Sequence, residues 1–304
     1  ISDAEAEAVT IAILLHDIGH GPLSHALEET LLPGIRHESL TYRFLLALNA
    51  EFKGKLSLAL QMFRDGYHRK FFHQLISGQI DVDRLDYLER DSFYTGVREG
   101  ITGVERIIAM LQVHKDKLVL EEKAIYSLEN FVTARRLMYW QVYLHKTAVS
   151  AERMLVNVMR RAQSLAKGGH TPTCSPALAC FLENEISLED FESNTRGINF
   201  LEQYSRLDDH DIWFALKQWT RNKDKVLSRL SSMLLERKIF AISMGNQPVK
   251  KEDIVKAQAE VKSHFNLTAR EAAYMVHHGT VSNEAYVRGE KRINILLKNG
   301  KVAD

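Results

Sequence analysis

Residues 14–29 read LLHDIGHGPLSHALEE. The stretch begins as the end of an apolar helix, places His16 and Asp17 at its close, and then breaks at Gly19 and Gly21 before His25. An ionised Asp beside an apolar helix costs several kcal/mol unless it is paired, hydrogen-bonded or metal-bound. A lone His-Asp pair is ordinarily a structural histidine beside a helix-terminal carboxylate. Here His20, His25 and His37 follow closely, which brings in the chemistry of a divalent cation. Imidazole and carboxylate together suit Mn, Fe, Co, Ni or Zn.

Upstream, residues 3–18 are apolar on nearly every face behind Ser2 as a cap, which predicts a buried helix. Downstream, Pro22 suits the first turn of a helix through Leu32, and a third helix is expected over Glu38–Phe52. His37, in RHESLTYRF at that helix entry, is a candidate proton carrier near neutral pH.

Two further clusters carry chemistry. In GQIDVDRLDYLERD (78–91), Asp83, Tyr87 and Asp91 fall four residues apart and line one helical face. Such a strip suits a metal ligand at one end and groups that read sugar hydroxyls along its length; the competing reading is an exposed helix stabilised by pairs such as Asp86–Arg90. In ARRLMYWQVYLHK (134–146), Arg135, Tyr139 and Tyr143 share a face, and cations beside aromatic rings suit a phosphorylated, base-bearing ligand. Aromatic core packing with snorkelling cations is the alternative.

Long helices are expected over Phe71–Asp91 and Tyr126–Ala166, and again at 209–221, 224–238 and 250–265. The Gly-, Pro- and Thr-rich stretch 165–176 marks a boundary, giving a core over 1–166 and a smaller, mainly helical region over 167–304. RINILLKNGKVAD (292–304) ends the chain in a short β element around Asn299-Gly300. The fold class expected is mainly α. The Asp208, Asp209, His210, Asp211 run reads as a helix cap facing solvent, and His277-His278 has no companion motif.

The 40 basic and 39 acidic residues leave a formal charge of +1, which argues against a nucleic-acid partner and requires any phosphate-binding charge to be local. No apolar run approaches the roughly 20 residues that cross a bilayer, so no membrane partner is expected. Two cysteines, Cys174 and Cys180, are too few for a disulfide framework and fit a cytoplasmic protein.

LLHDIGHGPLSH, RHES and IDVDRLDYLERD together resemble the HD-domain phosphohydrolases, and within them the deoxynucleotide triphosphohydrolase branch. The motifs span residues 14 to 146. The resemblance implies an HD-domain helical core and three metal ligands, His16, Asp17 and Asp83, holding a divalent ion among Mn, Fe, Ni, Co, Zn and Mg. It implies a fourth ligand, a His upstream of His16; residues 1–15 contain none, so an N-terminal segment is expected outside the given chain. It implies hydrolysis at the α-phosphorus of a deoxynucleoside triphosphate, with His37, supported by His20 and Glu28, protonating the leaving oxygen. His25, Arg84, Tyr87, Asp91, Arg135, Tyr139 and Tyr143 are the implied substrate contacts, with Tyr87 suited to excluding a 2′-hydroxyl. Tyr139 stands where the mammalian member has a His, implying a different base or sugar preference. The same resemblance brings an allosteric nucleotide and a homo-oligomer; Lys115 and Lys117, which match no motif, are candidates for the nucleotide site. The readings kept beside it are a phosphomonoesterase or phosphodiesterase on the same scaffold, and a nucleotide-binding sensor without catalysis.

Overall fold

Helix starts are written into the sequence as caps. Ser2 accepts from the Glu5 amide at 3.3 Å while the Glu5 carboxylate takes the Ser2 amide at 2.8 Å, a reciprocal box that opens α1 (Asp3–Leu14). The computed structural model describes residues 1–192, 197–282 and 292–303, without the side chains of His25 and Glu29. After α1 come α2 (His25–Leu31), α3 (His37–Glu51), α4 (Ser57–Phe63), α5 (Phe71–Ile76), α6 (Val82–Thr95) and α7 (Val104–Met110). A hairpin, β1 (Leu111–His114) and β2 (Lys117–Glu121), precedes α8 (Ile125–Met138) and α9 (Lys146–Lys167). The chain continues through α10 (Pro176–Glu183), α11 (Phe200–Ser205), α12 (Asp209–Trp219), α13 (Lys225–Leu235), α14 (Lys251–Phe265) and α15 (Ala269–Ala272), and closes with β3 (Ile295–Leu296) and β4 (Val302–Ala303). The fold is mainly α, as expected. None of the described helices is long and apolar enough to cross a membrane.

The chain divides into two compact units that are interleaved in sequence: one holds residues 1–18, 44–145 and 281–304, the other 19–43 and 146–280. In the first unit, Ala8 and Ala12 of α1 pack with Met62, Phe71 and Phe72, while Leu88, Ile107, Phe131 and Met138 form a second cluster. α1 is less covered than its apolar run predicts: Glu5, Ala8 and Ala12 are its buried residues, Val9, Ile11 and Ile13 are only partly covered, and Leu14 is 76% exposed. The sheet runs β1-β2-β3-β4, with β2 and β3 parallel and the outer pairs antiparallel. The expected turn at Asn299-Gly300 is there, Gly300 having φ 77°. The first hairpin was not expected: its turn is Lys115-Asp116, with φ 47° and 61°, in place of the Asn-Gly signal. In the second unit, α9 buries Met154 to Met159 almost continuously between α2 and α13, and Arg161 pairs with Asp224, the cap of α13.

Two long helices expected from periodicity are broken. Phe71–Asp91 stops at Ile76 and restarts at Val82, because Gly78 lies so close to Gln74 O that a Cβ would sit 2.5 Å from it, and Asp81 caps the Arg84 amide at 2.8 Å. Tyr126–Ala166 is interrupted by a π turn over Tyr139–Tyr143, where the Leu144 amide reaches back to Tyr139 O at 2.7 Å. The first break puts Asp83 in the opening turn of α6. The second sets the spacing of the tyrosines.

Candidate metal centre and its surroundings

In the first unit, α1 ends two residues before His16, and the ring is turned by its own helix: Nδ1 lies 2.7 Å from Ile13 O. A carbonyl only accepts, so Nδ1 carries the proton and Nε2 is aimed at Asp17 Oδ2, 3.3 Å away, and Asp83 Oδ1, 3.8 Å away. One ligand atom from each residue lies within 4.8 Å of the others. A basic nitrogen facing two carboxylates needs positive charge among them. Without a metal it comes from a proton: the Asp83 hydrogen bond and the Asp17 charge outweigh burial and push the His16 pKa up to about 9. His16 in turn holds the Asp83 carboxyl below its usual range. A divalent cation supplies the same charge, and the Ile13 carbonyl gives the ring the outer support that metal-bound histidines have. These residues fit the ion.

α6 carries the site onward. Tyr87 is largely buried, which pushes its pKa up to about 12. Asp91 accepts a 2.6 Å hydrogen bond from Tyr143 Oη, and Tyr143 lies edge-on to both Tyr87 and Tyr139, at centroid separations of 6.3 and 5.3 Å. Arg135 is 5% exposed, stands 5.9 Å from the Tyr139 ring, and donates Nη1 to Gln79 Oε1 at 3.0 Å. The Arg84 guanidinium is engaged by its own cap, Asp81, and by Gly78 O. Lys117 lines a cavity of about 360 Å³ with Lys70, His73, Gln79 and Arg292, so Gln79 faces both that cavity and Arg135. Lys115 sits in the hairpin turn.

In the second unit, Glu28 Oε1 accepts from the His37 amide at 2.7 Å and lies 3.1 Å from His37 Nδ1. The carboxylate thereby fixes the ring at its helix entry. His20 stacks on it with centroids 3.9 Å apart and planes 18° from parallel. Glu28, His37 and Glu38 also bring ligand atoms within 4.8 Å of one another, with His37 Nδ1 held by Glu28. His25 opens α2; its side chain, expected to contact substrate, lies outside the described residues.

The sequence reading missed Gln79, the Ile13 carbonyl, and two residues of the second unit, Tyr204 and Asp209. Tyr204 Oη donates to Gly19 O at 3.2 Å, and Asp209 Oδ1 accepts from the Leu23 amide at 2.7 Å. The Asp208 run does cap α12, through Asp208 and Asp211, but Asp209 is not simply solvated.

Residues 2–91 match the family model of the HD domain, and residues 103–172 that of the HD associated region. The chain is 30% identical over 317 residues to the uncharacterized protein YwfO of Bacillus subtilis (strain 168), across 99% of this chain and 69% of that protein. It is 29% identical over 184 residues to the deoxynucleoside triphosphate triphosphohydrolase SAMHD1 homolog of Dictyostelium discoideum, which covers 55% of this chain and 36% of that protein. A crystal structure of a phosphohydrolase from Bacteroides thetaiotaomicron VPI-5482 superposes with a TM-score of 0.94 at 49% identity, covering 100% of this chain and 74% of the other.

Proposed function

This chain belongs to the HD-domain family of phosphohydrolases, and from that premise we propose that it hydrolyses deoxynucleoside triphosphates to deoxynucleoside and inorganic triphosphate. The observation that carries the reading is the strip on α6: Asp83 faces His16 at one end, and Asp91, held by Tyr143 beside Tyr87, stands two turns on. Eight residues of helix span ~12 Å, which suits a phosphoryl group at one end and a sugar hydroxyl at the other. Similarity to the Dictyostelium triphosphohydrolase supports the same substrate class.

His16, Asp17 and Asp83 would hold the divalent ion, which when bound polarises a phosphoryl oxygen and acidifies water. Arg135, fixed by Gln79, supplies positive charge for phosphate oxygens. Water attacks the α-phosphorus, the bond from phosphorus to O5′ breaks, and O5′ leaves with the electron pair. His37, its ring oriented by Glu28, gives O5′ the proton, and the proton shed by the attacking water restores the ring. Tyr87 and the Tyr143–Asp91 pair hold the deoxyribose. The cavity with Lys70, Lys117 and Arg292 on its wall supports an activating nucleotide as part of this proposal.

The test is incubation of the protein with Mn²⁺ and each of the four deoxynucleoside triphosphates, singly and mixed, with Asp83→Ala as control. Triphosphate release that Asp83→Ala abolishes is expected, and release only from mixtures adds the activator. Orthophosphate as the product, or nucleotide bound and never consumed, contradicts it.

A further inference from the structure

The loop that carries His20 adopts a backbone its residues disfavour. Leu23 and Ser24 have φ of 52° and 43°, a region that non-glycine residues occupy only where their surroundings impose it. Ser24 gives α2 no side-chain cap. Two residues from much later in the chain do the imposing. Tyr204 of α11 donates to Gly19 O at 3.2 Å, and Asp209, first in α12, accepts the Leu23 amide at 2.7 Å.

Close packing reinforces both contacts. A Cβ at Gly21 would lie 2.5 Å from Tyr204 Oη, so only glycine fits against the phenol. Gly19 presses on α3, its amide donating to Thr41 Oγ1 at 3.0 Å, and a Cβ there would fall 2.4 Å from His37 O. His20 stands between these two glycines and stacks on His37. Tyr204 also senses the same group: burial pushes its hydroxyl pKa up, and the charge of Glu28 adds to that.

We propose that Tyr204 and Asp209 are positioning residues for the proton-handling group, clamping the Gly19–Ser24 loop so that His20 stays stacked on His37 beside Glu28. The assignment rests on the hydrolase reading, and it gives the later part of the chain a role in the reaction beyond packing. Both residues act through the loop backbone.

The experiment compares the protein with Tyr204→Phe, Asp209→Ala and Asp209→Asn. It reads kcat and KM for Mn²⁺-dependent nucleotide hydrolysis, and amide hydrogen exchange of peptides covering residues 19–27. Asp209 is exposed, so its substitution leaves the core packed, and Asn keeps an oxygen that can accept from Leu23. Tyr204→Phe and Asp209→Ala are expected to lower kcat ~10–100-fold, the cost of misplacing a reacting group by about an ångström, with KM little changed. The same two variants should exchange faster over 19–27, and Asp209→Asn should restore both readouts. Unchanged kcat, an equal loss in Asp209→Asn and Asp209→Ala, or unchanged exchange over 19–27 overturns the clamp. Should the unsubstituted protein release no product from any nucleotide, the hydrolase reading fails; the exchange comparison then decides the clamp by itself.

Discussion

His16 shows how one hydrogen bond decides what a residue can do. Because Nδ1 is committed to Ile13 O, Nε2 is the only ring atom left for Asp17 and Asp83 to share, through a proton or through a metal. Replacing His16 by Ala or Asp83 by Asn should weaken Mn²⁺ binding by more than the roughly 10–100-fold that outer-sphere changes cost, read by calorimetric titration. An affinity within threefold of the unsubstituted protein would move the ion elsewhere. Tyr87 makes a separate prediction. If its ring excludes a 2′-hydroxyl, Tyr87→Ala should narrow the preference for deoxynucleotides over ribonucleotides by ~10–100-fold in kcat/KM. An unchanged ratio of the two rates would remove Tyr87 from sugar selection.

Helix ends do the positioning. Asp81 caps α6 and holds Arg84, so the turn bearing Asp83 depends on it. Asp81→Ala should cost about 1–2 kcal/mol in denaturant unfolding, as lost caps do, and Asp81→Asn clearly less; equal losses would show that the cap is not what matters. α1 is tied down at its other end by Glu5, which accepts from Ser2, Tyr67 and Arg69. The Ser2 amide and then Arg69 lower its pKa from 4.5 to about 2. A depressed carboxyl pKa stabilises the fold fully above 4.5, and that contribution is lost as pH falls toward 2. Glu5→Gln should therefore be less stable at pH 7 and lose less between pH 4.5 and 2, measured by urea midpoints across that range; parallel curves would contradict it. These elements also show what periodicity can and cannot reveal. The patterns at 209–221, 224–238 and 250–265 return as α12, α13 and α14 within a few residues, since an apolar stripe survives in sequence. The π turn at Tyr139–Tyr143 does not, because it depends on a backbone contact that no side-chain pattern encodes, and the break at Gly78 is marked only by the Asp81 cap that restarts the helix.

At the scale of the molecule, His16, Asp17 and Asp83 were legible because their motifs are dense in chemistry, and the structure gathers them within 4.8 Å. The Glu28–His37 pairing was implied by the family resemblance, whereas Tyr143 and Asp91 were legible as residues but not as a contact. Tyr204 and Asp209 were not legible: an aromatic in a short helix and an Asp in a cap run look structural until the fold brings them to a loop some 185 residues earlier, as Tyr204 and Gly19 are. The interleaving of the two units is equally silent, since composition shifts mark loops and not which segments pack together. Attack of water on the α-phosphorus of a deoxynucleoside triphosphate leaves its mark in the products, and hydrolysis in ¹⁸O-water with mass analysis of both reads it. One ¹⁸O is expected in inorganic triphosphate and none in the deoxynucleoside. Label in the deoxynucleoside, or in released orthophosphate or pyrophosphate, would contradict it.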